Sequence, residues 1–302
     1  MTKYTNLSNL IEKNLPKKLV ALTKKVANLA ASRNQKLYLV GGMVRDILLG
    51  IPNLDLDFVV EGDAIELAKV LAQSINAKLT AHPMFNTAKI SLGKWSIDIA
   101  MARTETYAKP GALPIVKPGT LKTDLFRRDF TINAMAINLN PTKYGELIDL
   151  YGGMDDLKNK LIHVLHEKSF IDDATRIWRA IRYEQRLGFK IETGTLKLLK
   201  RDGVQLRTVG GYRMRRELEL VLKEEKPEKA LRRADRLGVL KELHPSLKAD
   251  KWLVEKFREA RKSDEANPDV YLAMLASRLT DAERNEFFSY LRFPKQVVEK
   301  IR

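Results

Sequence analysis

Residues 37–60, LYLVGGMVRDILLGIPNLDLDFVV, read as a short apolar strand from Leu37 to Val40, a glycine pair, a helical turn over Met43 to Leu49, and a second strand carrying Asp55 and Asp57. Side chains alternate between the two faces of a strand, so Asp55 and Asp57 project together while Leu56 and Phe58 project the other way. Two carboxylates side by side repel unless a cation is shared between them, and hard oxygen ligands of this kind suit Mg²⁺. Such a pair is a candidate half of a two-metal phosphoryl-transfer site. Gly41 and Gly42 let backbone N–H groups approach a phosphate just ahead of a helix N-terminus, which favours anions. Asp-x-Asp alone is also what solvated strand-end carboxylates look like, and Gly-Gly alone is an ordinary turn. Together they suggest a nucleoside triphosphate bound through its metal.

The chain has 302 residues, more than one compact core normally holds, so two or more domains are expected. No run of about 18 apolar residues appears and no signal-peptide pattern opens the chain, so the expectation is a cytoplasmic protein with no membrane association. The absence of cysteine excludes disulfides and thiolate metal sites. Lys and Arg outnumber Asp and Glu 54 to 38, a formal net charge of +16. Such a surplus around an acidic cluster points to a polyanionic partner, because phosphates reward Lys and Arg through counterion release.

Residues 1–34 carry apolar positions at helical spacing, Leu7-Leu10-Ile11 and Leu19-Leu22-Val26-Leu29, and read as a packing helix pair. Downstream of the central stretch, Asp63 caps a helix running to Ile75. Short strands follow at Ala77 to Ala81, Thr87 to Leu92 and Ser96 to Ala100, giving a mixed α/β unit. Asp98 interrupts the last of these strands amid Ile97 and Ile99, on a strand expected to neighbour that of Asp55 and Asp57. A third carboxylate is what a two-metal site needs if it also holds an incoming hydroxyl, and Asp98 is the candidate. An edge carboxylate paired to Lys or Arg is the plainer alternative.

Residues 103–123 hold three prolines and two glycines with no clear period and read as a long loop. Asp124 to Leu139, DLFRRDFTINAMAINL, places Arg127 and Arg128 together, followed by an apolar face of Ile132, Met135, Ala136 and Leu139. Two forked, permanently charged guanidiniums suit a triphosphate. Beyond Phe170 the pattern is helical almost throughout. In IDDATRIWRAIRYEQRLGF, residues 171–189, Asp173, Arg176, Arg179 and Arg182 recur every three residues as one slowly turning polar stripe opposite Ile177, Ala180 and Ile181. A carboxylate only accepts hydrogen bonds and a guanidinium only donates them. Cytosine and adenine each show an amino donor beside a ring acceptor, whereas uracil and guanine reverse the pattern. An Asp173/Arg176 pair therefore accepts C and A and rejects U and G without a template; a surface i,i+3 salt bridge is the alternative. Four histidines, at 82, 163, 166 and 244, show no metal-binding pattern, the His163/His166 spacing reading as incidental.

The segments GGMVRDILLG, DLDFVV, RRDFTINAMA, DLYGGMDDL and DDATRIWRAIRYEQRLGF stand in the order and spacing of the class II (bacterial-type) tRNA nucleotidyltransferases and the related bacterial poly(A) polymerases, a resemblance covering roughly residues 35–245. It implies an α/β N-terminal head, a polymerase-β-like nucleotidyltransferase with a mixed sheet and helices, followed by an all-α neck and body. The expected boundaries are a catalytic head over 1–148, a base-recognising neck over 149–207 and a tRNA-binding body over 208–302, with a tail short or absent. By matching position it implies that Asp55 and Asp57, joined by Asp98 from the strand argument, hold Mg²⁺. The nucleotide would contact Gly41, Gly42, Arg45, Arg127, Arg128 and Asn133; Asp173 and Arg176 would read its base, with Arg179 and Arg182 in the same pocket. Implied substrates are ATP, CTP and the 3′ acceptor end of tRNA; no protein partner is evident. Two motifs depart from the family pattern: Asp172-Asp173 stands for the usual Glu-Asp, and Tyr212-Arg213 for the usual Glu-Arg ahead of Glu217-Leu218. The motifs are shared by CCA-adding, CC-adding and A-adding enzymes and by poly(A) polymerases. A loop over Lys109 to Thr120 of family-like length speaks against a CC-only enzyme, leaving CCA addition first and A addition close behind. An RNA-binding protein on a retained scaffold is the reading from another class.

Overall fold

The computed structural model describes residues 6–263 and 265–301, so the first five residues of the expected N-terminal helix pair lie outside the described residues. The chain divides into two compact units, one built from residues 1–106, 114–159 and 163–165, the other from 107–113, 160–162 and 166–302.

In the first unit, α1 (Ser8–Asn14) and α2 (Lys17–Ala31) lead into β1 (Lys36–Val40), α3 (Gly42–Leu49), β2 (Asp55–Glu61) and α4 (Ala64–Ser74). The Asp63 carboxylate caps α4, accepting from the N–H groups of Ile65 and Glu66. Then come β3 (Lys78–His82), β4 (Thr87–Leu92), β5 (Trp95–Met101), β6 (Arg103–Thr106), β7 (Ile115–Pro118), α5 (Leu121–Phe126), β8 (Met135–Asn138), β9 (Leu147–Asp149) and α6 (Gly153–Asn159). Seven strands form one sheet in the order β3-β4-β5-β2-β1-β8-β9. Only β2 and β5 run parallel within it, so the sheet is mixed as expected.

Strand alternation explains how the sheet is covered. Leu37, Leu39, Leu56, Phe58, Val60, Ile97 and Ile99 are buried, and α2 and α4 pack on the strands. On the carboxylate side, β2 turns from acidic to apolar along its length. Val59, two residues past Asp57, joins Tyr38, Val40 and Ala136 in a cluster closed by Leu121 and Leu125 of α5. Seating α5 there sets the position of the two arginines that end it.

Two expectations for this unit change. Residues 103–123 are not one unstructured loop: β6 and β7 pair antiparallel, from Arg103↔Pro118 to Thr106↔Ile115, and residues 121–123 open α5. Residues 103–106 and 115–118 form this ribbon despite the proline spacing, Pro118 standing at its open end, where a missing N–H is tolerated. The apolar face at Ile132, Met135, Ala136 and Leu139 is a 3₁₀ turn, Thr131–Asn133, running into strand β8, buried at every position. A strand covered on both sides shows no alternation and mimics helical spacing.

The second unit contains β10 (Leu161–Ile162), α7 (Ser169–Asp172), α8 (Thr175–Leu187), β11 (Lys190–Ile191), α9 (Thr193–Asp202), α10 (Gly211–Leu222), α11 (Pro227–Arg236), α12 (Lys251–Lys262), α13 (Pro268–Ala276), α14 (Asp281–Tyr290) and α15 (Lys295–Ile301). The helical expectation holds with one exception: β10 and β11 form a short parallel pair. At the centre, α8 packs on α10 and α11 around Ile177, Trp178 and Ile181, each fully buried. The buried Glu184 of α8 accepts a bidentate pair from Arg233 of α11 at 2.7 and 3.0 Å. Gly211 begins α10 against the backbone of Tyr290, where a Cβ has no room. Among the described residues no helix is long and apolar enough to cross a membrane.

Candidate active site

The acidic site of the first unit is set by strand register. β2 and β5 pair so that Asp55 lies opposite Ser96 and Asp57 opposite Asp98, which puts Asp57 and Asp98 side by side on one face. Asp55 is exposed and Asp57 and Asp98 are half-buried. Burial first, then Asp98 and Asp55, push the Asp57 carboxyl up to about 6, while Arg128 and Lys89 oppose the rise. The carboxyl of Asp98 accepts from Ser96 Oγ at 3.2 Å and has Lys89 Nζ at 3.7 Å, so the paired-carboxylate alternative is also in part realised. Among the described residues no three acidic or histidine side chains form a closed metal cage. The arrangement is open, and its mutual repulsion fits a divalent cation.

Gly41 and Arg128 complete this site. The chain turns at Gly41 with φ +73°, and a Cβ there would lie 2.9 Å from Arg128 Nη1 and 4.0 Å from Asp57 Oδ2. Glycine is needed both for the backbone conformation and for the close approach. Arg128 donates Nη2 to Asp124 Oδ2 at 2.9 Å, while its Nε is buried with no hydrogen-bond partner among the described residues. With Nη2 fixed on Asp124 and Nε buried, the edge suited to an anion is Nη1, which lies against Gly41. Arg127 is turned elsewhere. It donates to Asp124 Oδ1 at 2.6 and 3.0 Å and to Glu105 Oε1 at 2.9 Å, so it shares the buried Asp124 with Arg128 rather than standing beside it as a second clamp.

A buried polar chain lies behind the glycine turn. A Cβ on Gly42 would stand 3.3 Å from Arg45 Nη2. Arg45 donates Nη1 to Asn133 Oδ1 at 2.6 Å and Nε to Asp46 Oδ1 at 2.9 Å, and Asn133 donates in turn to Asp129 at 3.0 Å. From Asp46 the chain runs to Asn53 (2.8 Å), whose side-chain oxygen accepts from the Asp55 N–H at 3.0 Å. Arg45 and Asn133, both buried, thus brace the turn and the start of β2.

In the second unit the expected polar stripe is corrected. Asp173 is not on the helix: it is extended, φ −144° and ψ 97°, between α7 and α8. A short polar side chain ahead of a helix captures the free N–H two residues on, and Asp173 does so at Thr175. Its ion-pair partner is Arg213, at 2.8 Å, a residue forty positions away. Arg176 and Arg182 are buried at 5% and 4% exposure, not surface charges. Long arginines reach buried acceptors, so a period of three did not mean a solvated face. Arg182 lies with its guanidinium carbon 4.9 Å from the Tyr183 ring centre, Arg179 at 5.6 Å and Arg186 at 6.0 Å. Glu224 binds Arg182 and Arg186. Sequence patterns did not single out Arg213, Tyr183, Glu224, Asp124 or Asn53; only the departure at Tyr212-Arg213 drew attention to that neighbourhood. His163 and His166 face different carboxylates, Asp156 and Asp172.

Residues 37–163 match the family model described as Poly A polymerase head domain, and residues 188–251 match that described as probable RNA and SrmB-binding site of polymerase A. The chain is 44% identical over 243 residues to the A-adding tRNA nucleotidyltransferase of Geobacter sulfurreducens, covering 79% of this chain and 28% of the relative. It is 44% identical over 265 residues to the A-adding tRNA nucleotidyltransferase of Aquifex aeolicus, covering 83% and 32%. The chain thus spans about a third or less of the length of these two relatives. Its structure is similar to that of the Thermotoga maritima CCA-adding enzyme complexed with tRNA, with 38% identity and a TM-score of 0.85 over all of this chain and 73% of the other.

Proposed function

The chain belongs to the class II (bacterial-type) tRNA nucleotidyltransferase and poly(A) polymerase family, and from that premise we propose that it adds the terminal A of CCA to the 3′ end of tRNA, using ATP and releasing pyrophosphate. The observation that carries transfer chemistry is the meeting of Asp57, Asp98, Gly41 and Arg128 on one face of the sheet. The Geobacter and Aquifex relatives, both A-adding, favour A as the nucleotide. Full CCA addition is the second reading, favoured by the likeness to the Thermotoga enzyme.

Family members generally use a divalent metal, and here Asp55, Asp57 and Asp98 would hold Mg²⁺. When bound, Mg²⁺ supplies activation of the attacking hydroxyl and charge neutralisation of the leaving pyrophosphate. The protein's own groups bind and orient. Arg128 would offer the triphosphate its Nη1, the nitrogen that lies against Gly41, and the N–H groups at Gly41 and Gly42 would donate to a phosphate. Arg45 and Asn133 keep the turn in place, and Arg127 holds Arg128's partner Asp124. In the helical unit Asp173 and Arg176 read the base, with Arg179 and Arg182 in the same pocket. The surplus of positive charge serves tRNA phosphates, largely by shape. The corresponding division is a head over 1–148, a neck over 149–207 and a body over 208–302, in a cytoplasmic protein.

Incorporation of labelled ATP and CTP, separately and together, into transcripts of one tRNA ending before CCA, after C and after CC tests this. ATP use on the CC end alone is the expected result. Stepwise C, C and A would establish the second reading, long A tails a poly(A) polymerase, and no incorporation with Mg²⁺ present would overturn transfer altogether.

A further inference from the structure

Asp173 is held by one oxygen only. Its Oδ1 accepts three hydrogen bonds, from Thr175 N–H at 3.1 Å, Thr175 Oγ1 at 2.6 Å and Arg213 Nη2 at 2.8 Å. Its Oδ2 has no donor among the described residues. Thr175 is 5% exposed and starts α8, whose neighbours Ile177 and Trp178 are fully buried, so its hydroxyl does not wander. Arg213 stands in the first turn of α10, whose start is seated on the Tyr290 backbone through Gly211. The carboxylate is therefore tied to two helices through one oxygen and presents the other.

We propose that Thr175 and Arg213 are positioning residues that set base selectivity, by fixing Asp173 so that Oδ2 is its single acceptor for an incoming base. This rests on the base-reading role assigned above to Asp173. Adenine and cytosine offer the same donor-acceptor order, but adenine offers it farther from the ribose, beyond its five-membered ring. A carboxylate free to swing follows both rings. One tied by three donors at Oδ1 meets the amino group at one depth only, because swinging breaks bonds to a buried hydroxyl and to a guanidinium. Thr175 and Arg213 thus convert a pair that accepts either C or A into one that serves a single ring depth, which under the proposed A addition is that of adenine.

The test measures kcat and KM for ATP and for CTP on a tRNA transcript ending in CC, for the wild type and for Thr175→Val, Thr175→Ser and Arg213→Lys. Thr175→Val keeps the shape and deletes one bond to Oδ1. The expected result is that it lowers the ATP-to-CTP ratio of kcat/KM at least tenfold, with the change mainly in KM, and that Thr175→Ser restores the ratio. Arg213→Lys, which keeps the charge and loses the fork, is expected to shift the ratio the same way. A Thr175→Val ratio equal to that of the wild type overturns the inference, as does equal use of both nucleotides by the wild type. Both outcomes leave nucleotidyl transfer standing. Loss of melting temperature with an unchanged ratio in the residual activity marks both residues as merely structural and also overturns it.

Discussion

Gly41 shows how much one position controls. Any side chain there meets Arg128 and must adopt φ +73° with ψ −144°, a conformation that favours glycine, at a cost of roughly 1–3 kcal/mol. Gly41→Ala is expected to displace Arg128 and to reduce nucleotide incorporation about 10- to 100-fold, a change that steady-state kinetics would read, while the far-ultraviolet spectrum stays unchanged. Asp124 is the complementary case. Burial alone would raise its carboxyl, but Arg128 and Arg127 outweigh burial and hold it below the ordinary carboxylate value. Because the folded value is the lower one, this group's contribution to stability is complete above about pH 4 and is lost as the pH falls from there through the folded value. Asp124→Asn is expected to cost about 3 kcal/mol at neutral pH, since two guanidiniums lose a buried partner. Urea midpoints measured between neutral and acid pH would show the gap between the two proteins closing at the acid end.

At the level of elements, the packing of α10 carries a testable demand. Gly211→Val puts a branched side chain into the Tyr290 backbone and is expected to destabilise the second unit by about 2 kcal/mol or more, visible as a lower urea midpoint. Elements whose burial has a period were legible beforehand: the β1–α3–β2 run, the cap at Asp63, and the strand that brings Asp98 beside Asp57. What escaped the sequence was whatever depends on partners far along the chain. β8 is covered on both faces and so lacks alternation, and the β6–β7 ribbon hides behind prolines. Asp173 looked helical because its spacing to Arg176 fits a turn, yet a local bond to Thr175 ends one helix there and precedes the next. Nothing in a linear pattern pairs Asp173 with Arg213, whereas Asp124 stands three and four residues before Arg127 and Arg128, a helical spacing that was open to reading.

For the whole molecule, a net charge of +16 predicts that the tRNA binding proposed above is strongly salt-dependent. If about five phosphates are neutralised, the logarithm of the affinity should fall with the logarithm of salt at a slope near −4, roughly two decades between 50 and 200 mM. Filter binding at several salt concentrations gives the slope, and a flat response would rule out a phosphate-dominated interface. The parallel pairing of β2 with β5 has a different kind of consequence. No hairpin can join parallel neighbours, so α4, β3 and β4 must all be accommodated before Asp57 meets Asp98. The pairing is therefore non-local, the kind of contact that makes a sheet slow to form. A cation gathered by these carboxylates would find its site only once that pairing exists, and so would stabilise the finished sheet against the unfolded chain.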